Sequence, residues 1–256
     1  MKSISKNKHI WPAFIRAVDQ YHLIEEGDKI AVCVSGGKDS FALALCMQEL
    51  CRQSRLAKRQ NFEVIFLCMD PGYTQQDRNT IEQTAQQLNI PLEFFQTPIF
   101  EIVTKAGGTP CYLCARMRRG NLYAAAQERG CNKIALAHHM DDIAETIMMN
   151  LTQNAQVKTM PVKVPSKNFP GMTLIRPFCL ERERDIANWR DANDLHFIHC
   201  GCPLGQCENT GKRKETKNIL KQIEQNNAVA VLNIFKALDR LQIPTNNQEP
   251  TDTNHK

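Results

Sequence analysis

The chain has 256 residues, 42% of them hydrophobic and 23% charged, which suffices for one substantial α/β domain with appendages and is too apolar for extended disorder. A formal charge of +5 is only mildly basic and does not by itself indicate a nucleic-acid partner. No apolar run is long enough to cross a bilayer, and the start, MKSISKNKH, lacks the apolar stretch of a signal peptide, so a cytoplasmic protein without membrane association is expected.

Residues 9–24 set Ile10, Phe14 and Val18 at helical spacing, and they predict an amphipathic helix that ends before Glu25-Glu26-Gly27-Asp28. Residues 29–34 (KIAVCV) form a short, largely β-branched apolar run, the pattern of a strand buried on both faces. A helix over 40–52 follows. Strands are then predicted over 63–69, 92–96 and 133–137, and helices over 75–88, 113–129 and 142–151. Such alternation implies right-handed crossovers and a doubly wound parallel α/β sheet covered on both faces. Leu174-Ile175 supplies a further short strand after a Pro- and Lys-rich loop over 156–172. Helices over 182–193 and 214–225 come next, and 242–256, polar with two prolines, is expected to fray. The expected units are an N-terminal helix (1–28), a nucleotide-binding domain (29–200), a cysteine loop with C-terminal helices (201–241) and a tail (242–256).

Directly after the first buried strand stands Ser35-Gly36-Gly37-Lys38-Asp39-Ser40, leading into a helix. The carboxyl end of a parallel strand is where ligands bind. Paired glycines let successive N–H groups turn inward around an anion, and the helix N-terminus adds its positive end. The motif matches neither GxxxxGK[ST] nor GxGxxG. It resembles the SGGxDS hallmark of the PP-loop ATP pyrophosphatases, which split ATP between the α and β phosphates and leave AMP on a substrate oxygen. Asp39 is suited to align Lys38 or to approach Mg²⁺. Two later strand ends face the same crevice: Asp70, expected near the nucleoside, and Ala137-His138-His139-Met140-Asp141-Asp142, similar to the family's GHHxDD element. By ligand type alone that His/Asp group also suits zinc. Its place after a parallel strand favours adenylate and Mg²⁺, with His138 and Asp141 as the contacting residues.

Of the eleven cysteines, Cys33, Cys46, Cys51, Cys68, Cys131 and Cys179 lie singly, most of them in or beside apolar segments, and read as small buried hydrophobes. Cys111-Tyr112-Leu113-Cys114 is a CxxC pair opening a helix, and by spacing alone it suits zinc, an iron–sulfur cluster or a redox disulfide. The second group, Cys200-Gly201-Cys202-Pro203 with Cys207, does not have the paired knuckles of a zinc ribbon. Positive charge accompanies both groups: Arg116, Arg118 and Arg119 beside the first, Lys212, Arg213, Lys214 and Lys217 after the second.

LIEEGD before the loop, SGGKDS, CxxCxRxRRG over 111–120, HHxDD and Ile175-Arg176-Pro177 occur in the order found in the tRNA 2-thiocytidine synthetase (TtcA) family. The resemblance spans residues 24–218. It implies ATP-dependent adenylation of a cytidine C2 oxygen in the anticodon loop of tRNA, at position 32, and its replacement by sulfur. It also implies a 4Fe–4S cluster held by three cysteines, with the fourth iron open to carry sulfide or persulfide. Cys111 and Cys114 transfer directly. The third ligand falls among Cys200, Cys202 and Cys207, with Cys202 preferred because Pro203 follows it. Arg118 is placed to neutralise developing charge or to hold a tRNA phosphate, and Asp39 and Asp141 complete the catalytic set. The sulfur donor is a cysteine desulfurase or inorganic sulfide, and a homodimer is implied. Ligases or amidotransferases on the same nucleotide fold, and a zinc-stabilised tRNA-binding module, are the competing readings.

Overall fold

A computed structural model describes residues 3–57, 61–106, 110–198 and 211–240. The cysteine group at 200–207 and the expected tail over 242–256 lie outside them. Strands β1 (Lys29–Cys33), β2 (Glu63–Asp70), β3 (Leu92–Gln96), β4 (Lys133–Ala135), β5 (Lys163–Pro165) and β6 (Thr173–Ile175) form one sheet in the order β3-β2-β1-β4-β6-β5. Every pairing is parallel except that of β5 with β6.

The period-two alternation of β1 explains its double burial. Ile30 and Val32 enter one apolar layer with Phe14 of helix α1 (Ile10–Gln20), Phe41 of α2 (Lys38–Leu56) and Trp189 of α7 (Glu183–Ala192). Ala31 and Cys33 point the other way, against Tyr123, Ala125 and Ala126 of α5 (Pro110–Glu128). Helix α3 (Gln75–Gln87) adds Ile81 and Ala85 to the first layer. Helices α6 (Met140–Asn154), α8 (Lys212–Asn226) and α9 (Ala230–Arg240) share a third cluster around Ile143, Ile147, Leu220 and Val231. The six single cysteines are all buried, as expected. Burial pushes the Cys33 and Cys68 thiols up to about 12, so both stay protonated and inert.

Three elements go beyond the sequence expectation. Helix α4 (Ile99–Ala106) precedes α5, which itself starts at Pro110 rather than 113, a first-turn position that proline favours. The loop expected over 156–172 contains β5, a three-residue antiparallel edge strand ending in Pro165, where a missing N–H is tolerated. Helix α9 extends the C-terminal part.

The amino ends of β1 and β4 are joined by a buried ion pair. Lys133 Nζ lies 2.6 Å from Asp28 Oδ2, with the two side chains 4% and 3% exposed. Asp28 also accepts the Glu25 N–H at 2.7 Å and the Asn132 amide at 2.8 Å, while Lys133 donates to the Leu23 carbonyl. Removing one partner strands a buried charge. Lys133→Met is therefore expected to cost about 3 kcal/mol, read as a lower denaturant midpoint at unchanged slope.

Candidate functional site

The sheet changes winding direction between β1 and β4, so the loops leaving their carboxyl ends flank a crevice of the kind that binds ligands in open α/β sheets. The loop after β1 carries Ser35 to Ser40. Gly36 has φ +88°, and a Cβ there would stand 2.7 Å from the Ile198 side chain and 2.9 Å from Ile81 Cδ1. Both the backbone angle and the space therefore require glycine. Gly37 is the N-cap of α2 and offers no side-chain cap, so the first-turn N–H groups of α2 remain for an anion. Ser40, 4% exposed, turns inward: its hydroxyl donates to the Gly37 carbonyl at 2.8 Å and accepts the Ser35 N–H at 3.1 Å, closing the loop on itself. Lys38 Nζ lies 3.1 Å from Asp39 Oδ2 and 3.3 Å from Glu183 Oε1. Asp39 Oδ1 is buried with no hydrogen-bond partner among the described residues, an open acceptor beside the loop.

The element after β4 is organised by His139, the N-cap of α6. Its Nδ1 accepts the Asp142 N–H, and the Asp142 carboxylate accepts the His139 N–H at 3.0 Å, a reciprocal cap. His138 Nδ1 accepts from Arg176 Nε at 3.2 Å. Burial, with the Arg176 charge, pulls His138 down to about 4, so the ring is neutral at physiological pH. With Nδ1 accepting, the ring proton sits on Nε2, a donor. Asp141 is gripped by Arg182, whose Nη2 is 2.9 Å from Oδ1, and by the Glu183 N–H at 2.8 Å from Oδ2. Its carboxylate thereby holds the start of α7 against the crevice.

Glu183 connects the two strand ends, since it contacts Lys38 through its side chain and Asp141 through its N–H. It also receives Lys217 of α8 at 2.6 Å. Burial pushes the Glu183 carboxyl up, but Lys217, Lys38 and His139 outweigh that and hold it at about 2. Arg213 of α8 binds Asp142 at 2.7 Å and Glu145 at 2.9 Å. Two members of the basic run at 212–217 are thus engaged with carboxylates of the crevice rather than standing as a free cationic patch. The sequence marks Arg213 and Lys217 only as members of a basic run and leaves Arg182 and Glu183 unmarked. Their signal, alternating charge around 182–185 and a Lys/Arg run, is indistinguishable from that of a solvated helix face.

Asp70, at the end of β2, is occupied by its own turn. Oδ1 accepts the Gly72 and Tyr73 N–H groups at 2.9 and 2.8 Å, and Oδ2 pairs with Arg78 at 3.1 Å. This turn aims Tyr73, whose hydroxyl donates to the Ser35 carbonyl at 3.2 Å and whose ring meets Phe100 edge-on at 6.3 Å. The Arg118 guanidinium lies over the Phe100 ring, 5.6 Å from its centroid, with Nε buried and lacking a hydrogen-bond partner among the described residues. Cys114, one turn before Arg118 on α5, is half-buried and packs against the cluster of Met69, Ile99, Phe100 and Val103. Cys111 stands in the first turn of α5, three positions before Cys114 and hence on the same helix face. The CxxC helix and the SGGKDS loop are therefore joined through Phe100 and Tyr73. Cys202, Cys200 and Cys207 lie outside the described residues, but the chain entering that segment is placed, with Ile198 against Gly36 and the His196 carbonyl accepting Thr84 Oγ1 at 3.1 Å.

The sequence matches the PP-loop domain family over residues 11–200. A tRNA-cytidine(32) 2-sulfurtransferase of Pelobacter propionicus is 33% identical over 244 residues, covering 94% of this chain and 88% of the relative. Another with the same description, from Polaromonas naphthalenivorans, is 35% identical over 232 residues, covering 88% and 71%. Among solved structures, the U34-tRNA thiolase NcsA from Methanococcus maripaludis, with its 4Fe–4S cluster, has a TM-score of 0.71 at 21% identity over 90% of this chain and 77% of that one, a likeness of fold.

Beneath the crevice, Glu181 is 2% exposed, and its Oε2 has no hydrogen-bond partner among the described residues. Burial raises its carboxyl from 4.5 to about 7. Between these values the folded state holds a proton that the unfolded state has lost, so stability falls as pH rises from about 4.5 to about 7. Glu181→Gln is expected to abolish that slope, giving an unfolding free energy from denaturant titration that equals the native one near pH 4.5 and exceeds it, by on the order of 3 kcal/mol, above pH 7.

Proposed function

Because the chain belongs to the PP-loop family and, within it, to the tRNA-cytidine(32) 2-sulfurtransferases, we propose that it thiolates cytidine 32 of tRNA. ATP places AMP on the C2 oxygen, releasing pyrophosphate, and sulfur then displaces AMP from C2. The observation that carries this reading is the juxtaposition of the SGGKDS loop with the CxxC helix through Tyr73 and Phe100 at one edge of the sheet.

The residues fit MgATP. Positive φ at Gly36, the lack of room for a Cβ and the uncapped start of α2 suit a polyphosphate, while the orphaned Asp39 Oδ1 suits a hard cation. Loop N–H groups and Lys38 bind the departing pyrophosphate, and Asp39 aligns Lys38 and contacts Mg²⁺. Neutral His138 donates from Nε2 to the oxygen being adenylated. Asp141 acts by fixing Arg182 and the Glu183 backbone at the crevice wall. Asp70 shapes the turn bordering the nucleoside. Arg118, with an unused buried donor, neutralises charge on the adenylated base or holds a tRNA phosphate.

The thiol set also fits a 4Fe–4S cluster, since Cys111 and Cys114 share a helix face, Cys114 stands beside an apolar wall, and Cys202 is the third ligand we assign. Held by these residues, a cluster would supply the sulfur nucleophile. The sulfur comes from a cysteine desulfurase or inorganic sulfide, the enzyme acts in the cytoplasm, and it works as a homodimer. Among the described residues, no helix is long and apolar enough to cross a membrane. The unit that binds ATP is 29–200, flanked by the helix over 1–28, the part over 201–241 that brings Cys202 and the tail over 242–256.

Asp39→Ala is expected to lower tRNA-dependent pyrophosphate release by about 100-fold, the equivalent of one lost charged contact, at an unchanged melting temperature. Unaltered release in the folded variant would remove the role assigned to Asp39. In protein prepared without oxygen, Cys111→Ala, Cys114→Ala and Cys202→Ala should each lose iron and the broad brown absorbance, whereas Cys200→Ala and Cys207→Ala should keep both. Stoichiometric zinc without iron in the native protein would overturn the cluster.

A further inference from the structure

Lys38 and Lys217 approach Glu183 unequally. Lys217 Nζ touches both carboxylate oxygens, at 2.8 and 2.6 Å, the range of a strong charge-assisted bond. Lys38 Nζ stands 3.3 Å from Oε1 and 3.1 Å from Asp39 Oδ2, shared between two acceptors and tight to neither. Glu183 cannot follow Lys38 outward, because it opens α7 and its N–H is bound to Asp141 at 2.8 Å. Asp141 in turn is clamped by Arg182, which also binds Glu224 of α8 at 2.7 Å. The tightly held cation thus comes from α8 and the loosely held one from the phosphate loop.

Given the ATP reading above, we propose that Glu183 is a releasable partner of Lys38 at the nucleotide site, kept paired by Lys217 when Lys38 turns to the incoming phosphate. A half-buried carboxylate with Lys38 as its sole counter-charge would resist giving it up, since the exchange would leave the carboxylate unpaired. Lys217 removes that penalty. Lys217 therefore affects ATP affinity without touching ATP.

The test is a double-mutant cycle on the full-length protein, read as equilibrium binding of MgATP without tRNA. Lys217→Met should weaken binding about tenfold, because Glu183 then keeps Lys38 for itself, an exchange worth one charged hydrogen bond. Adding Glu183→Gln should bring affinity back to within about threefold of native, and Glu183→Gln alone should tighten binding. A merely structural role predicts the reverse sign, with the double variant weaker than either single one, and that result would overturn the proposal. So would weaker binding by Glu183→Gln alone. Lys217→Gln substitutes if Lys217→Met does not fold, and melting temperatures accompany each titration. Lys38→Met is the control for the site itself and should lose binding. Native protein that fails to bind MgATP would sink the ATP reading along with this inference, whereas native binding with the wrong sign in the cycle sinks the inference alone.

Discussion

Charge at the carboxyl end of the sheet is balanced through short contacts between segments distant in sequence. Asp141 binds Arg182, Asp142 binds Arg213, and Glu183 binds Lys217 and Lys38, so that α6, α7, α8 and the phosphate loop are locked to one another by groups that cannot stand unpaired in a half-buried setting. The Asp28–Lys133 pair does the same at the opposite end of β1 and β4. Ligand binding at such a site is an exchange of ionic partners, because little charge is left unsatisfied beforehand. Asp39 Oδ1 beside the loop, Arg118 Nε near the CxxC helix and Glu181 Oε2 beneath the crevice are departures, each a buried polar atom without a hydrogen-bond partner among the described residues. Unsatisfied groups of this kind are expected where a ligand completes the set.

Close packing connects the two chemistries. Tyr73 bonds the phosphate loop and packs on Phe100, Phe100 packs on Arg118 and on the layer holding Cys114, and Gly72 takes the positive φ of +113° at the turn. Gly36 stands where the bulky Ile198 and Ile81 come close. The site therefore depends on α4 and α5, inserted between β3 and β4, as much as on the sheet.

Where one residue type answers one local need, the sequence is transparent. KIAVC reads as a doubly buried strand because its apolar run has no polar face to offer, and the structure buries Ile30, Ala31, Val32 and Cys33 on two sides. SGGKDS is legible because only glycine tolerates the backbone angle and the approach of Ile198. The start of α6 was expected at 142 but lies at Met140, since a histidine cap with an aspartate partner lacks the usual Ser or Thr signature. Strand β5 was hidden because three residues with a proline carry no period, and α4 because eight residues fall below a reliable helical pattern. Glu183 could not be placed at the site, and Arg213 and Lys217 only as members of a basic run. An ion pair between residues 145 apart, as for Lys38 and Glu183, leaves no local trace.

That separation has a consequence for how the protein is made. A nascent chain that has completed β1, the glycine loop and α2 still lacks Ile198, Glu183 and Lys217, which come much later in synthesis. Closing loops of this length must precede the contacts that reward it, so the sheet's early strands can pair while the phosphate loop remains unbuttressed. On the proposal above, full affinity for nucleotide arrives late on the ribosome, after α8 has emerged, and a truncated product ending before α8 would fold much of the sheet yet bind nucleotide more weakly.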